Sequence, residues 1–423
     1  IIKKCLLHRC VIVLFFMVNL SVSNAMNINT LLDLTDKQNL LIQAERQFLN
    51  KFMNDIIIAK NNRDPSITFS GSIGANYQYS AGSYNTYNPR NLNLSFNKNL
   101  FDGYKTEYSI HQANDLYKQA EYNFESLRQN IFLEAINSYL DVIKYNKIKQ
   151  LTINNLSLSK YYLDFKLEEF ALGDLTELEL EQSKLDYEIN KFNLQKIQKQ
   201  IEDEENRLKN YTNQKILHMS YPDIRKDKYN PSISSNLDYA INNNPDILAS
   251  DIYIKVLQHE IAIERSANLP KIDFEFGVSK NWDSSPSVNQ VDEYSILGKI
   301  TIPLYESESV KLKEGNIDFD IIKNKKILQD KIFNLKRDIT STWDDIVLLE
   351  DEYDIAKKQI EINDRNIITK NKSYDIGVMS KLDIIDSEIK YNDHMINVEE
   401  LNNKIHKSHY LFLNKLGNLN IKN

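Results

Sequence analysis

The sequence predicts a mixed fold, mostly α-helical, in which one helix–strand–strand–long helix–helix unit occurs twice. The 423 residues contain only 8 prolines and 10 glycines, and residues 104–221 and 304–423 contain no proline. Because proline breaks helix interiors and glycine weakens them, both stretches are predicted to be long helices. Alternating apolar and polar residues before each stretch predict strands. Landmarks in the two halves recur at nearly one offset, which predicts the duplication.

Three pairs of landmarks support the duplication. They are separated by 204 or 205 positions: Pro65 and Pro270, Phe101 and Tyr305, and Gly173 and Gly377. Recurrence at a fixed period is the sequence signature of a repeated structural unit. We therefore divide the chain into a first repeat at residues 26–210, a linker at 211–234 and a second repeat at 235–423.

Helices are predicted at both ends of each repeat. A first helix, at roughly residues 30–62 and 235–267, ends at a proline. Helical hairpins then fill residues 104–210 and 306–416, where apolar residues step by three and four. A helix that runs from 104 to the glycine at 173 would be ~100 Å long at 1.5 Å per residue. Such a rod does not fit inside a compact domain.

Two strands are predicted in each repeat, between the first helix and the hairpin. They cover residues 66–80 and 91–101, and residues 271–282 and 294–304, because apolar side chains there take alternate positions. The polar segments between them, 80–90 and 283–292, are predicted turns. These strands meet the roughly 9–11 residues that cross an outer membrane.

Four strands leave two open edges, which lipid does not tolerate. The smallest closed bacterial barrels have about eight strands, so several copies would have to close one barrel together. The residues alone do not determine whether two, three or four copies form the barrel. A small soluble β-subdomain on a coiled-coil rod is the alternative.

Four aromatic residues lie at strand ends or in the predicted turns: Tyr77, Tyr79, Trp282 and Tyr294. Tyrosine and tryptophan favour the interface between membrane and water. We therefore predict that these residues contact that interface. Ordinary packing is the alternative for each of them taken singly.

Residues 1–25 are predicted to be a secretory signal peptide. Lys3, Lys4 and Arg9 accompany an apolar stretch at 10–18, and small residues follow at 23–25. A spanning helix needs about 20 apolar residues, more than this segment offers. Both cysteines, Cys5 and Cys10, fall inside it, so the exported chain is expected to have no disulfide.

Composition and motifs exclude several classes of function. A charged fraction of 26% and a mean hydropathy of −0.48 exclude a polytopic helical membrane protein. The net charge of −7 speaks against nucleic acid as a partner. The sequence has neither a phosphate-binding loop nor a nucleophile elbow, so no enzyme and no cofactor is predicted. His406 and His409 supply two ligands where zinc needs three or four, so we expect a solvated helix face there and no metal.

The residues taken together resemble the TolC family of outer membrane efflux proteins. The resemblance lies in the duplicated halves, the long helices, the strand ends at 100–103 and 302–305, and the tip motifs at 169–173 and 373–377. It implies a homotrimer whose twelve-stranded outer membrane barrel continues into a long periplasmic α-helical barrel. It also implies a passive duct that docks a periplasmic adaptor protein and an inner-membrane transporter, for drug efflux or type I secretion.

The resemblance also implies a closable periplasmic mouth. Asp383 and Asp386 match the positions of the family's aperture carboxylates. Tyr374 and Glu179 match parts of its closing latch, while Met379 stands where a basic residue is expected and Lys381 would be the nearby substitute.

Helix capping offers another explanation for the same tips. Thr176 with Glu179, and Ser380 with Asp383, have the spacing of capping boxes. Each box follows a glycine at a helix end, at position 173 or 377. Asp386 gains nothing from capping and is therefore the sharper candidate for the aperture.

Two other classes of protein remain as alternatives. A periplasmic adaptor is also a helical-hairpin protein, but it would have one hairpin and many short glycine-bounded strands. An exported coiled-coil scaffold would explain the rods but not the duplicated strand pairs.

Overall fold

The computed structural model of the chain describes residues 27–80, 82–216, 218–224, 232–285, 287–304 and 308–420. The predicted signal peptide at 1–25, with Cys5 and Cys10, lies outside the described residues, as does Tyr305.

Both repeats contain the predicted order of elements. The first contains α1 (Ile28–Gln38), α2 (Leu40–Asn61), β1 (Ser66–Ile73), β2 (Asn76–Ser80), β3 (Ser83–Tyr87), β4 (Arg90–Phe101), α3 (Lys105–Leu172) and α4 (Glu177–Thr212). The second contains α5 (Ile233–Asn243), α6 (Pro245–Arg265), β5 (Lys271–Ser285), β6 (Val288–Thr301), α7 (Ser309–Asp375) and α8 (Lys381–Lys415). The mostly helical fold with strands between the first helices and the long hairpin of each repeat is confirmed, although the first repeat has four strands where two were predicted.

The first helix of each repeat is broken in two, where the sequence predicted one helix. Asn39 ends α1 and accepts hydrogen bonds from the backbone amides of Leu41 and Ile42, so its side chain starts α2. Asn244 does the same for α6, which begins at Pro245. An N-cap asparagine with extended backbone stabilises a new helix start. The break recurs at the repeat offset, 205 positions on.

The strands also differ from the prediction. Residues 66–80 form two strands separated at residues 74–75, and the predicted polar turns at 80–90 and 283–292 are mostly strand. In the second repeat the strands extend to Ser285 and end at Thr301 instead of 304. Polar serine and asparagine residues are typical of loops, but here the backbone groups of these residues pair across two hairpins.

The main sheet has four antiparallel strands in the order β1–β4–β5–β6, and β2 with β3 forms a separate hairpin. Cross-strand rows run through the whole sheet. One such row is Phe69–Leu94–Val278–Tyr294, and the next row on the opposite face is Ser70–Asn93–Ser279–Glu293. One face is therefore apolar and the other polar, with β1 and β6 as the edge strands.

The apolar face of the sheet is uncovered in the single chain. Ile67, Phe69 and Ile296 are each at least 70% exposed. None of the described helices has the length and apolarity required to span a membrane.

The long helices pack side by side in the order α4–α3–α8–α7, with α6 against both α3 and α7. The largest buried cluster lies midway along α3, where Phe132, Tyr139 and Leu140 contact Leu31 and Leu32 of α1. The inter-repeat linker crosses this region, and the Tyr139 hydroxyl donates to the Ser220 carbonyl at 3.0 Å. The helices α4 and α7 lie at the two ends of this layer.

Candidate functional site: the hairpin tips and the sheet

Each helical hairpin turns at a glycine in the left-handed conformation. Gly173 has φ of 84° and Gly377 has φ of 77°, and a Cβ at either position would meet open space. The amide of Asp174 donates to the Glu169 carbonyl, and the amide of Val378 donates to the Ser373 carbonyl. These bonds satisfy the last carbonyls of α3 and α7. Backbone conformation alone therefore accounts for both glycines.

Both predicted capping boxes are present. The Glu179 amide donates to Thr176 Oγ1 at 3.3 Å, and the Thr176 amide donates to Glu179 Oε2 at 3.0 Å. Ser380 and Asp383 make the same pair of bonds, at 3.3 and 3.1 Å. The hydrogen bonds from Thr176 lower the pKa of Glu179. The boxes fix the first turns of α4 and α8, and they place both acids on the outside of these turns.

Asp386 lies outside the capping box. It is exposed and pairs with Lys390 at 3.2 Å, one turn along α8. Between the two aspartates, Ile384 and Ile385 are almost completely buried. The isoleucines hold the start of α8 against the hairpin, so Asp383 and Asp386 present two carboxylates to the surroundings of the tip.

The proposed latch residues fall into two groups. Lys381 Nζ lies 5.7 Å from the centre of the Tyr374 ring, so the structure brings these two residues together. Glu179 lies on the other hairpin and is held by Thr176.

Sequence reasoning missed a polar network between α3 and α8. Asp141 accepts hydrogen bonds from Lys407 at 2.6 Å, Asn403 at 2.9 Å and Lys144 at 3.0 Å. Burial alone would raise the pKa of Asp141, but the bonds and charges of Lys407 and Lys144 outweigh it and lower that pKa. Asn403 and Lys407 are more than 260 positions away from Asp141 in the sequence, so no local sequence pattern predicts these contacts.

The same joint continues toward the tips. Lys147 pairs with Glu399 at 3.0 Å, and Asn392 donates to Asn155 at 2.7 Å. Asn155 and Asn392 are both buried. Buried polar pairs of this kind specify one register between two helices.

The histidine pair on α8 is buried, which contradicts the expected solvated face. His406 and His409 are 5% and 4% exposed. His406 stacks on Tyr221 of the linker with 4.9 Å between ring centres. The linker covers this face of α8, and the apolar pattern of α8 alone does not predict that contact. In the described part of the chain, no group of three His, Cys, Asp or Glu is arranged to hold a metal ion.

The four predicted interface aromatics also separate into two groups. Tyr294 lies on the apolar face of the main sheet, in the row of Phe69. Tyr294 pairs with Val278 of β5, and Trp282 lies four residues after Val278, beyond the Lys280–Asp292 ion pair. Tyr77 and Tyr79 lie on the separate hairpin, where Tyr77 stacks on Tyr84 and Tyr79 contacts Tyr84 with its ring tilted.

Several solved structures with this fold are described as membrane channels. The outer membrane channel CmeC of Campylobacter jejuni is 16% identical, with a TM-score of 0.79 over 93% of this chain and 86% of CmeC. CusC is 14% identical, with a TM-score of 0.77 over 92% of each chain. The outer-membrane channel OprN is 13% identical, with a TM-score of 0.78 over 92% of this chain and 90% of OprN. At these identities the likeness establishes the fold. No curated protein sequence matches the chain significantly.

The sequence itself shows which family the chain belongs to. The family model described as "Outer membrane efflux protein" matches residues 31–214 and 236–409, most of the chain. The chain belongs to the outer membrane efflux protein family. It is therefore an outer membrane efflux channel protein with a long periplasmic helical part, and not an enzyme. The family assignment also removes the adaptor and scaffold alternatives.

Proposed function

We propose that three copies of the chain close into a passive exit duct of a tripartite efflux or type I secretion system. Their sheets form one outer membrane barrel, and their helices form a tube that continues it into the periplasm. Asp383 and Asp386 restrict the periplasmic mouth. Docking of a periplasmic adaptor protein and an inner-membrane transporter at the hairpin tips shifts the duct from closed to open.

The sheet supports closure by several copies. Its edge strands β1 and β6 have free backbone groups along one side, and its apolar face is exposed. Lipid would cover that face, while the polar rows would line a lumen. Two copies would give eight strands, whose interior is only wide enough for side chains. A duct needs more, and three copies give the twelve strands that the family resemblance implies.

The end helices carry matching apolar stripes. Leu178, Leu185 and Phe192 on α4 are seven residues apart, as are Leu348, Ile355 and Ile362 on α7. All six side chains are between 54% and 75% exposed. An apolar residue every seven positions is the pattern of a coiled-coil seam. Each end helix packs on one side only, and its apolar stripe is uncovered among the described residues of the single chain.

The internal duplication predicts how these stripes meet, and this observation carries the proposal. Asn155 of α3 lies opposite Asn392 of α8. Their repeat equivalents, 204 positions away, are position 359 on α7 and position 188 on α4. Because α7 and α4 would be antiparallel, each step back along α7 corresponds to one step forward along α4. Position 359 opposite position 188 therefore places Ile355 opposite Phe192 and Ile362 opposite Leu185. The register that joins two repeats inside one chain thus aligns the exposed stripes of two neighbouring copies.

The short helices support the same arrangement. The helix α6 packs against α7 of its own repeat and against α3 of the preceding one. In the described part of the chain, its equivalent α2 packs mainly against α3 and makes no extensive contact with α7. Leu41 and Phe48 of α2 remain about half exposed. The missing partner of α2 is α7 of the neighbouring copy, where Phe319 and Phe333 are exposed. The contact is head-to-tail, and a contact of this kind forms a ring when the rotation between copies closes.

Three copies would bring six tip carboxylates around one axis. A ring of carboxylates favours cations, repels anions and binds multivalent cations tightly. Asp383 serves the capping box with one oxygen and remains exposed, so capping and an aperture role are compatible.

The test is single-channel conductance of the detergent-purified protein in a planar bilayer. We expect cation-selective openings that hexamminecobalt(III) blocks from the periplasmic side. Asp383→Asn combined with Asp386→Asn should remove the block and reduce the selectivity. Glu202→Gln, an exposed acid on α4 away from the tips, is the control. If the double variant kept wild-type selectivity and block, the aperture assignment would be wrong.

A further inference from the structure

The duplication extends to a lysine and a serine at each hairpin tip. Lys166 and Lys370 both lie seven residues before the tip glycine, and they are 204 positions apart. Ser183 and Ser387 both lie four residues after the capping acid, again 204 positions apart. Both serines are nearly buried, at 5% and 6% exposure. The two tips are therefore copies of one arrangement, and each serves as an internal comparison for the other.

In the second hairpin the lysine crosses from one helix to the other. Lys370 Nζ donates to Ser387 Oγ at 2.6 Å and to the Asp383 carbonyl oxygen at 3.2 Å. Ser387 Oγ donates to that same carbonyl at 2.9 Å. Lys370 thus ties α7 to the first turns of α8, where both aperture aspartates lie.

In the first hairpin the equivalent lysine stays on its own helix. Lys166 Nζ binds Glu169 at 2.7 Å, three residues along α3. The equivalent of Glu169 is Ser373, which has no charge to attract Lys370. Ser183 Oγ donates to the Glu179 carbonyl at 3.0 Å, just as Ser387 does to Asp383. The difference between Glu169 and Ser373 matches the difference in bonding, because Lys166 bonds along its own helix and Lys370 bonds across the hairpin.

We infer that Lys370 is a positioning residue of the aperture: it clamps the start of α8 onto α7 and holds Asp383 and Asp386 in place. This inference rests on the proposed function. Hydrogen bonds from a charged donor are roughly twice as strong as neutral ones, so one lysine suffices to fix the tip.

Two variants test the clamp by different routes. Lys370→Met removes the donor, and Ser373→Glu leaves the lysine but offers it the partner that Lys166 has. Both should raise the half-blocking concentration of hexamminecobalt(III) at least tenfold and increase the opening frequency in a planar bilayer. Lys166→Met is the matched control and should leave both quantities unchanged. Equal behaviour of Lys370→Met and Lys166→Met would overturn the inference.

Hydrogen exchange separates this inference from the proposed function. Backbone amides at 381–387 in the purified oligomer should exchange at least tenfold faster in Lys370→Met and Ser373→Glu than in wild type or Lys166→Met. Lys370→Arg, which keeps a charged donor, should restore slow exchange. This readout needs no open channel, so a non-conducting wild type would count against the duct and not against the clamp. Unchanged exchange in both clamp variants would refute the clamp.

Discussion

Lowering the pH should destabilise the fold through His406. This residue of α8 is 5% exposed, stacks on Tyr221 of the linker, and has no hydrogen-bond partner for Nδ1 among the described residues. Burial, and then the positive charges of His409 and Lys147, lower the pKa of His406 to about 4. The nearby Asp223 offsets this only partly. The folded chain therefore holds the neutral imidazole.

The sign follows from proton linkage. The unfolded chain has an ordinary histidine pKa of about 6.5, so it binds the proton more readily than the folded chain as the pH falls below that value. The stability contributed by neutral His406 is fully present above pH 6.5 and is lost progressively toward pH 4. Between pH 7.5 and pH 5, the pKa difference lowers the free energy of unfolding by about 2 kcal/mol.

The assay is guanidinium chloride unfolding in detergent, followed by far-ultraviolet circular dichroism at pH 7.5 and pH 5. His406→Gln should show a pH-dependent loss of stability that is smaller than that of wild type by about 2 kcal/mol. His111→Gln is the control, because that side chain is 54% exposed. The same pH dependence in wild type and His406→Gln would refute the reasoning.

Three further changes have expected costs in denaturant unfolding and hydrogen exchange. Asp141→Ala should lower the free energy of unfolding by about 3 kcal/mol, because it leaves Lys407 at the α3–α8 joint without its carboxylate; a cost below that of a surface substitution would contradict this. Gly417→Ala should cost about 2 kcal/mol, since φ is 73° and the new Cβ would lie 2.6 Å from the Asn243 carbonyl oxygen; wild-type stability would show that the turn relaxes freely. Thr176→Ala should cost about 1 kcal/mol and speed exchange of the first amides of α4; unchanged exchange would mean that the capping box does not hold that turn.

Most of the helical architecture could be predicted from the sequence, because long proline-free stretches admit few other structures. The breaks at Asn39 and Asn244 were missed, although their side chains carried a signal. Asparagine before an apolar helical pattern is an N-cap candidate, and its recurrence at the repeat offset would have strengthened it. The strand ends were missed because serine and asparagine occur in polar hairpins as well as in loops, so composition alone does not distinguish the two.

The tips were more predictable than the joints between hairpins. Capping boxes are local, so the spacing of Ser380 and Asp383 was enough to predict the observed bonds. The Lys370–Ser387 clamp spans 17 residues and needs the hairpin to be folded before it is visible. The burial of His406 depends on a linker that comes from between the repeats. Contacts of this kind depend on tertiary structure, so the apolar and polar pattern of a single helix does not predict them.

Disulfide cross-linking between copies tests the central claim most directly. The chain has two cysteines, both in the predicted signal peptide, so Phe192→Cys with Ile355→Cys introduces one reporter pair. The derived register predicts inter-chain disulfides in the membrane, with bands at two and three chains and none above three. Leu185→Cys with Ile355→Cys shifts the pair by seven residues, or ~10 Å along a helix, and should not cross-link. Absence of inter-chain disulfides in the first pair, or a ladder that continues beyond three chains, would contradict a closed three-copy duct.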